Sequence, residues 1–235
     1  MKTLFISSQA PNTIKSMLCS IGFSLVLLPA DPNLPEPVSA HADMLIFENI
    51  IQKDYYKRNK ELFLGYDLIL AEESFGNEYP GDVLLNAFTI GDTLFGHLES
   101  LSKEIRNLYL KQVNLRQGYA KCSTLLFGNN AITADRGIAS ALSEHGVNVL
   151  LITPGHIALP GYDYGFIGGA SFVYEDKVIF FGNIEEHPDG VAILDFIGQA
   201  GYEAVYDKTE KPVDLGGAAT LSAECGMRIH DTPYL

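Results

Sequence analysis

The chain has 235 residues, of which 47% are hydrophobic and 19% charged, and it carries a formal net charge of −13. That balance supplies a core and excludes intrinsic disorder. The negative charge argues against a nucleic-acid backbone or an anionic membrane as main partner, and it leaves a small cationic or polar molecule as the favoured kind of ligand.

The length admits one large domain or two small ones. Cys19, Cys122 and Cys225 are far apart and form no Cys-x-x-Cys pair, so neither a disulfide framework nor a zinc cluster is expected. No apolar run approaches the roughly 20 residues that a bilayer-spanning helix needs. The N-terminal Met1–Ser7 stretch turns polar too soon for a signal peptide. A reduced, bacterial-type cytoplasm is the expected setting.

In chain order, Lys2–Ser7 reads as a strand. A helix follows, capped by Asn12, with Ile14, Met17, Leu18 and Ile21 at helical spacing and Gly22 past its end. Phe23–Leu28 is then a buried strand, so the chain opens β-α-β. The connector Pro29–Pro37 is too rich in proline for regular structure. Ala40–Glu48 reads as a buried strand with polar residues at both ends, Asn49–Lys60 as a surface helix or loop, and Asp67–Ala71 as a short strand.

From Asp82 the pattern becomes regular. Val83–Phe88 and Thr93–Phe95 read as strands around Gly91-Asp92, followed by a helix striped with Leu98, Leu101, Ile105 and Leu108. The same order returns with Ser123–Phe127, the Gly128-Asn129-Asn130 turn, Ala131–Thr133, a helix capped by Asp135 and running to His145, and Val147–Ile152. Phe166–Tyr174 and Val178–Phe181 form a hairpin about Glu175-Asp176-Lys177. A helix capped by Asp189 and the strand Tyr202–Tyr206 complete that copy. The pair Gly168-Gly169 weakens the first hairpin strand unless something approaches its backbone closely. Asp214–Thr220 echoes Gly165–Ser171 and opens a last copy that no helix completes; the β-α-β at residues 2–28 supplies the missing half if the chain closes on itself. About five copies of β-β-α-β at a period of roughly 40 residues point to an α/β propeller around a pseudo-fivefold axis, since each copy alone cannot bury its faces.

Five such units are the hallmark of the guanidino-group-modifying, or pentein, fold, and residues 1–235 resemble a single domain of that class. Its members include arginine deiminase, dimethylarginine hydrolase, amidinotransferases and a ribosome anti-association factor that is not an enzyme. Ala42–Glu48 resembles the family's first-unit Pro-Asp-x-x-Phe-x-Glu-Asp segment, which implies Asp43 and Glu48 as carboxylates for a guanidinium; a carboxylate takes that group bidentately. The family's cysteine attacks the guanidinium carbon and its histidine protonates the departing amine. Gly168 stands where that histidine is expected, within Gly168-Gly169-Ala170-Ser171, and Leu221 follows Gly216-Gly217-Ala218-Ala219-Thr220 where the cysteine is expected.

Carboxylates and glycines at equivalent repeat positions, with the family's catalytic residues absent, point to a binding pocket on the axis without the standard catalysis, lined by His41, Asp43, Glu48, Asp135, Gly168, Gly169, Ser171, Asp214, Gly216 and Gly217. The alternatives are an atypical guanidine or amidine hydrolase, with Cys225 as a displaced nucleophile and His187 as acid/base, and a non-enzymatic interaction protein. Cys225 otherwise reads as a small buried hydrophobe and His187 as a loop histidine beside a helix start. Tyr162, Tyr164 and Phe166 are either pocket mouth or core. No cofactor is expected. His41, Asp43 and His187 are the one conceivable metal set, and His-x-Asp alone does not support it.

Overall fold

The structure, a computed structural model, describes residues 2–222. β1 (Lys2–Ser7) and β2 (Phe23–Leu28) pair in parallel across α1 (Asn12–Ser20). Next come α2 (Ala42–Leu45), β3 (Ile46–Phe47), β4 (Ile50–Gln52), α3 (Lys53–Arg58) and β5 (Ile69–Ala71). The third group is β6 (Phe88–Ile90), β7 (Thr93–Gly96), α4 (Lys103–Leu108) and β8 (Lys111–Asn114). The fourth is β9 (Thr124–Phe127), β10 (Asn130–Thr133), α5 (Arg136–Glu144) and β11 (Asn148–Leu151). The fifth is β12 (Ser171–Tyr174), β13 (Lys177–Phe180), α6 (Gly190–Gln199) and β14 (Glu203–Val205).

Each three-stranded sheet follows one rule: an antiparallel hairpin, then a helix that returns the chain parallel to the hairpin's second strand. The two-stranded sheet obeys it too once Ala219 is included. Ala219 bridges antiparallel to Phe5, with Phe5 N–H donating to Ala219 O at 2.8 Å and Ala219 N–H donating to Phe5 O at 3.0 Å. The two ends of the described chain thus meet in one unit, and the ring closes.

The core confirms the closure. Strand side chains alternate between faces, and Leu4 and Ile6 pack with Ile179 and Phe181 of the preceding unit. Phe5 between them packs with Tyr55 and Phe63 of the following one. Phe95 packs with Ile138 and Leu142, and Phe127 with Phe180 and Ile193. The hairpin strands therefore bury both faces, which is why they read as apolar runs rather than as alternating ones, while the third strands β5, β8, β11 and β14 are more exposed.

Several expected elements differ. Ala40–Glu48 is not one strand: α2 and the two-residue β3 share it, because an apolar run buried on all sides does not distinguish helix from strand. The strand expected from Val83 begins only at Phe88, and the one expected from Phe166 only at Ser171. α4 starts at Lys103, capped by Ser102, whose Oγ accepts from Ile105 N–H; Leu98 and Leu101 precede it. Pro11, not Asn12, occupies the cap of α1, and Ile21 is exposed. Asp189 precedes α6, but its carboxylate accepts from Thr153 N–H instead of capping. Beyond the bridge at Ala219, residues 214–222 form no strand, since Gly216 and Gly217 take positive φ of 74° and 61°.

Candidate functional site

The entries of the repeat units converge on the buried polar groups of the chain. Asp43, in the first turn of α2, is 7% exposed. Its backbone N–H donates to Gly216 O at 3.0 Å, which ties α2 to the returning 214–217 segment. Neither of its carboxylate oxygens accepts from a nitrogen or oxygen donor among the described residues, and the Cys122 thiol lies beside the carboxylate as its polar neighbour. Leaving a buried carboxylate unmatched is costly, so such a group invites a cationic donor.

Asn86 locks the neighbouring entry. Its amide nitrogen donates to Asp43 O at 3.1 Å and contacts Cys122 Sγ at 3.1 Å, while its Oδ1 accepts from Lys121 N–H at 2.8 Å. Cys122 is buried, and its thiol is pushed well above its ordinary range, first by burial and then by the charges of Asp43 and Asp214. A thiol held protonated is a poor nucleophile.

At the two glycine pairs the chain passes too close to neighbouring backbone and side chains for an ordinary residue at positions 168, 169 and 216. A Cβ on Gly168 would stand 2.3 Å from Lys121 O, and one on Gly216 would stand 2.2 Å from His41 Cβ. Gly169 N–H donates to Cys122 O, and Gly169 O accepts from both Leu215 N–H and Gly217 N–H. The close approach anticipated for Gly168-Gly169 is therefore present, and position 168 has no room for a histidine side chain. Ser171 is buried and donates its hydroxyl to Ile167 O at 2.7 Å.

Asp214 Oδ2 accepts from Phe166 N–H at 2.8 Å and Oδ1 from Gly216 N–H at 3.0 Å. Burial raises its carboxyl above the usual range, Asp43 adds to the shift, and His41 together with the two backbone donors opposes it. His41 Nδ1 is 3.6 Å from Asp214 Oδ1.

Asp43 opens on a cleft of about 270 Å³ whose walls include Phe47, Glu48, Thr89, Lys121 and Thr220. Glu48, at the β3–β4 tip, is exposed and accepts from the Tyr109 hydroxyl at 2.7 Å. His41 and Asp214 do not line this cleft; they open on another. Asp135 lies apart as the cap of α5, accepting from Ile138 N–H at 2.8 Å. His187 also lies elsewhere: Nδ1 accepts from Asp189 N–H at 3.0 Å, and the ring packs edge-on to His156 with centroids 5.7 Å apart. Burial and His156 lower its pKa, against the opposing pull of Asp189. Cys225 lies outside the described residues. Tyr162 and Tyr164 are exposed, and Phe166 is half-buried against Tyr119 and Tyr164.

Among the described residues no three His, Cys, Asp or Glu side chains are placed to hold a metal ion, and no helix is long and apolar enough to cross a membrane. Sequence reasoning missed Asn86, Lys121 and Cys122. One signal for Asn86 was available: a lone amide inside an apolar run must find partners when buried.

No curated protein matches the sequence. Among solved structures, the chain is similar to dimethylarginine dimethylaminohydrolase in an adduct with S-methyl-L-thiocitrulline, at 14% identity and a TM-score of 0.52. It is also similar to that enzyme's adduct with 4-chloro-2-hydroxymethylpyridine, at 15% and 0.53. A third match is the Pseudomonas aeruginosa enzyme, as a cysteine-to-serine mutant complexed with citrulline, at 14% and 0.53. Each match covers 88% of this chain and 92% of the other. The fold is thus the pentein fold. The model of a family of unknown function (DUF6873) matches residues 5–219, and the chain belongs to that family.

Proposed function

We propose that the Asp43 cleft binds a small ligand with a guanidinium-like or amidinium-like group, and that it does so without the standard pentein chemistry. The observation that carries this reading is the buried carboxylate of Asp43, which accepts from no nitrogen or oxygen donor among the described residues and has the Cys122 thiol beside it, with Asp43 among the residues that line the cleft. Two oxygens accepting from one planar cation make a charge-assisted pair, the stronger class of hydrogen bond. Lys121 lines the same cleft. A ligand with a cation at one end and an anion at the other, as in an amino acid bearing a guanidino group, matches both residues. The similar structures that hold citrulline or S-methyl-L-thiocitrulline support a ligand of that shape.

Two observations favour binding over turnover. Gly168 admits no side chain, and the thiol beside Asp43, that of Cys122, is held protonated by burial and by two carboxylates. The test is calorimetric titration of L-arginine and L-citrulline into the wild-type protein and Asp43→Asn. Charge-assisted bonds contribute about 1.5–3 kcal/mol each, so the variant should bind arginine at least about tenfold more weakly while melting normally. Equal affinity in the two proteins overturns the reading.

A further inference from the structure

The geometry points to a second ligand site, on the far side of the wall behind Asp43, that takes a small organic ammonium ion with an apolar body. The wall is made of residues 41–43 and 214–216. Both segments contribute to two clefts, and the two clefts have no lining residue in common. Where Gly216 meets His41 the two segments touch with no space for a side chain between them.

The second cleft, of about 480 Å³, is larger than the Asp43 cleft. His41 and Asp214 are the buried polar groups that line it. His41 is 2% exposed, and its Nδ1 has no hydrogen-bond partner among the described residues; the 3.6 Å to Asp214 is too long for one. That nitrogen is itself shut off from solvent against Asp214, so a molecule in the cleft meets the rest of the imidazole edge. Glu36 adds a carboxylate, and no lysine or arginine is among the lining residues. An anion is therefore disfavoured and a cation favoured.

The remaining walls are apolar and stiff. Leu159 and Leu215 face a rim set by Pro37, against which Gly161 packs at positive φ; a Cβ on Gly161 would stand 2.5 Å from Pro37 Cγ. The proline-rich connector carrying Glu36 and Pro37 is anchored from inside. Asp31 is buried, accepts from Asn33 N–H at 2.8 Å, and is paired with Arg58. A preformed cleft with apolar walls and a few convergent polar groups is the general form of a small-molecule site. An alkyl- or arylammonium places its carbon body against the leucines and prolines and its N–H donors toward His41, Asp214 and Glu36.

The test uses benzylammonium as the probe and benzyl alcohol as its neutral isostere, read by NMR on the full chain through the His41 imidazole nitrogens and the Leu159 and Leu215 methyl groups. Saturable shifts of these signals with benzylammonium are expected, unchanged in Asp43→Asn. Glu36 is exposed, so Glu36→Gln should weaken binding by about threefold, the scale of an exposed charge pair, and leave the fold intact. Absence of saturable shifts overturns the site, as does their loss in Asp43→Asn, which would assign all binding to the other cleft. Equal binding of benzyl alcohol overturns the ammonium assignment.

Discussion

The carboxylate of Asp214 fills the space that a side chain at Gly169 would need: a Cβ there would stand 1.9 Å from Asp214 Oδ1 and 2.5 Å from its Cγ. Neither group can retreat easily. Gly169 is held by bonds to Cys122 O, Leu215 N–H and Gly217 N–H, and Asp214 by Phe166 N–H and Gly216 N–H. Gly169→Ala should therefore destabilise the protein by about 3 kcal/mol or more, the upper end of overpacking costs. Truncating the obstacle in the double variant Gly169→Ala/Asp214→Ala should recover part of that loss, giving a coupling of about 1–3 kcal/mol in a urea-denaturation cycle. Strictly additive costs would mean that the clash is relieved elsewhere.

Asn86 supports a second prediction. Its amide joins the start of α2, through Asp43 O, to the Lys121-Cys122 backbone that leads into β9. Asn86→Ala removes both partners and leaves the Asp43 carbonyl and the Lys121 N–H unmatched in the interior. At about 1–3 kcal/mol for each orphaned group, a loss of about 3 kcal/mol is expected in chemical denaturation. Because Asn86 also positions Asp43, affinity for arginine should fall in the same variant. A stability change under 1 kcal/mol would be incompatible with this role.

What the sequence revealed, and what it hid, divides along physical lines. The repeat was legible because the hairpin strands of each unit bury both faces, so runs such as Leu125-Leu126-Phe127 and Val178-Ile179-Phe180 stand out from their glycine-marked turns. Closure of the ring through Phe5 and Ala219 was legible for a different reason: 214–220 began a unit that only residues 2–28 could finish. The short elements near the axis were not legible. α2 and β3 divide one apolar stretch, and the polypeptide around Gly168 and Gly216 is shaped by tertiary backbone contacts that leave no periodicity. Asp43 was found through a motif resemblance. Its partition from His41 and Asp214 into two clefts depends on which side of the wall each side chain faces, and residue spacing carries no such information. Asp135 was placed with them by repeat equivalence, yet a helix cap claims its carboxylate.

The two described cysteines should differ sharply in reactivity. Cys19 is exposed, whereas Cys122 is buried with its thiol pushed well above the ordinary range. Iodoacetamide at pH 8 should alkylate Cys19 in the native protein and leave Cys122 untouched until denaturant is added, as peptide mapping would reveal. Thiolate fraction and access act in the same direction here. Native-state labelling of Cys122 at a rate comparable to Cys19 would show that the axial thiol is both accessible and activated, and would revive a catalytic reading.

Stability should fall on mild acidification, through His187. Its Nδ1 accepts a hydrogen bond from Asp189 N–H, which requires that nitrogen to be unprotonated, and burial and His156 hold its pKa below the ordinary value. In the unfolded chain the imidazole titrates near pH 6.5. Below that pH the unfolded state takes up a proton that the native state resists. The stabilisation is thus complete above about pH 6.5 and is lost as pH falls toward the depressed native value, at up to about 1.4 kcal/mol for each pH unit. Carboxylates contribute their own acid sensitivity at lower pH, so the diagnostic window is pH 5.5–7. His187→Gln removes the titrating group while keeping a side chain able to accept from Asp189 N–H. Its unfolding free energy should be flatter than that of the wild type across this window, whatever its absolute stability. Identical slopes for the two proteins would show that His187 titrates alike in the folded and unfolded chains.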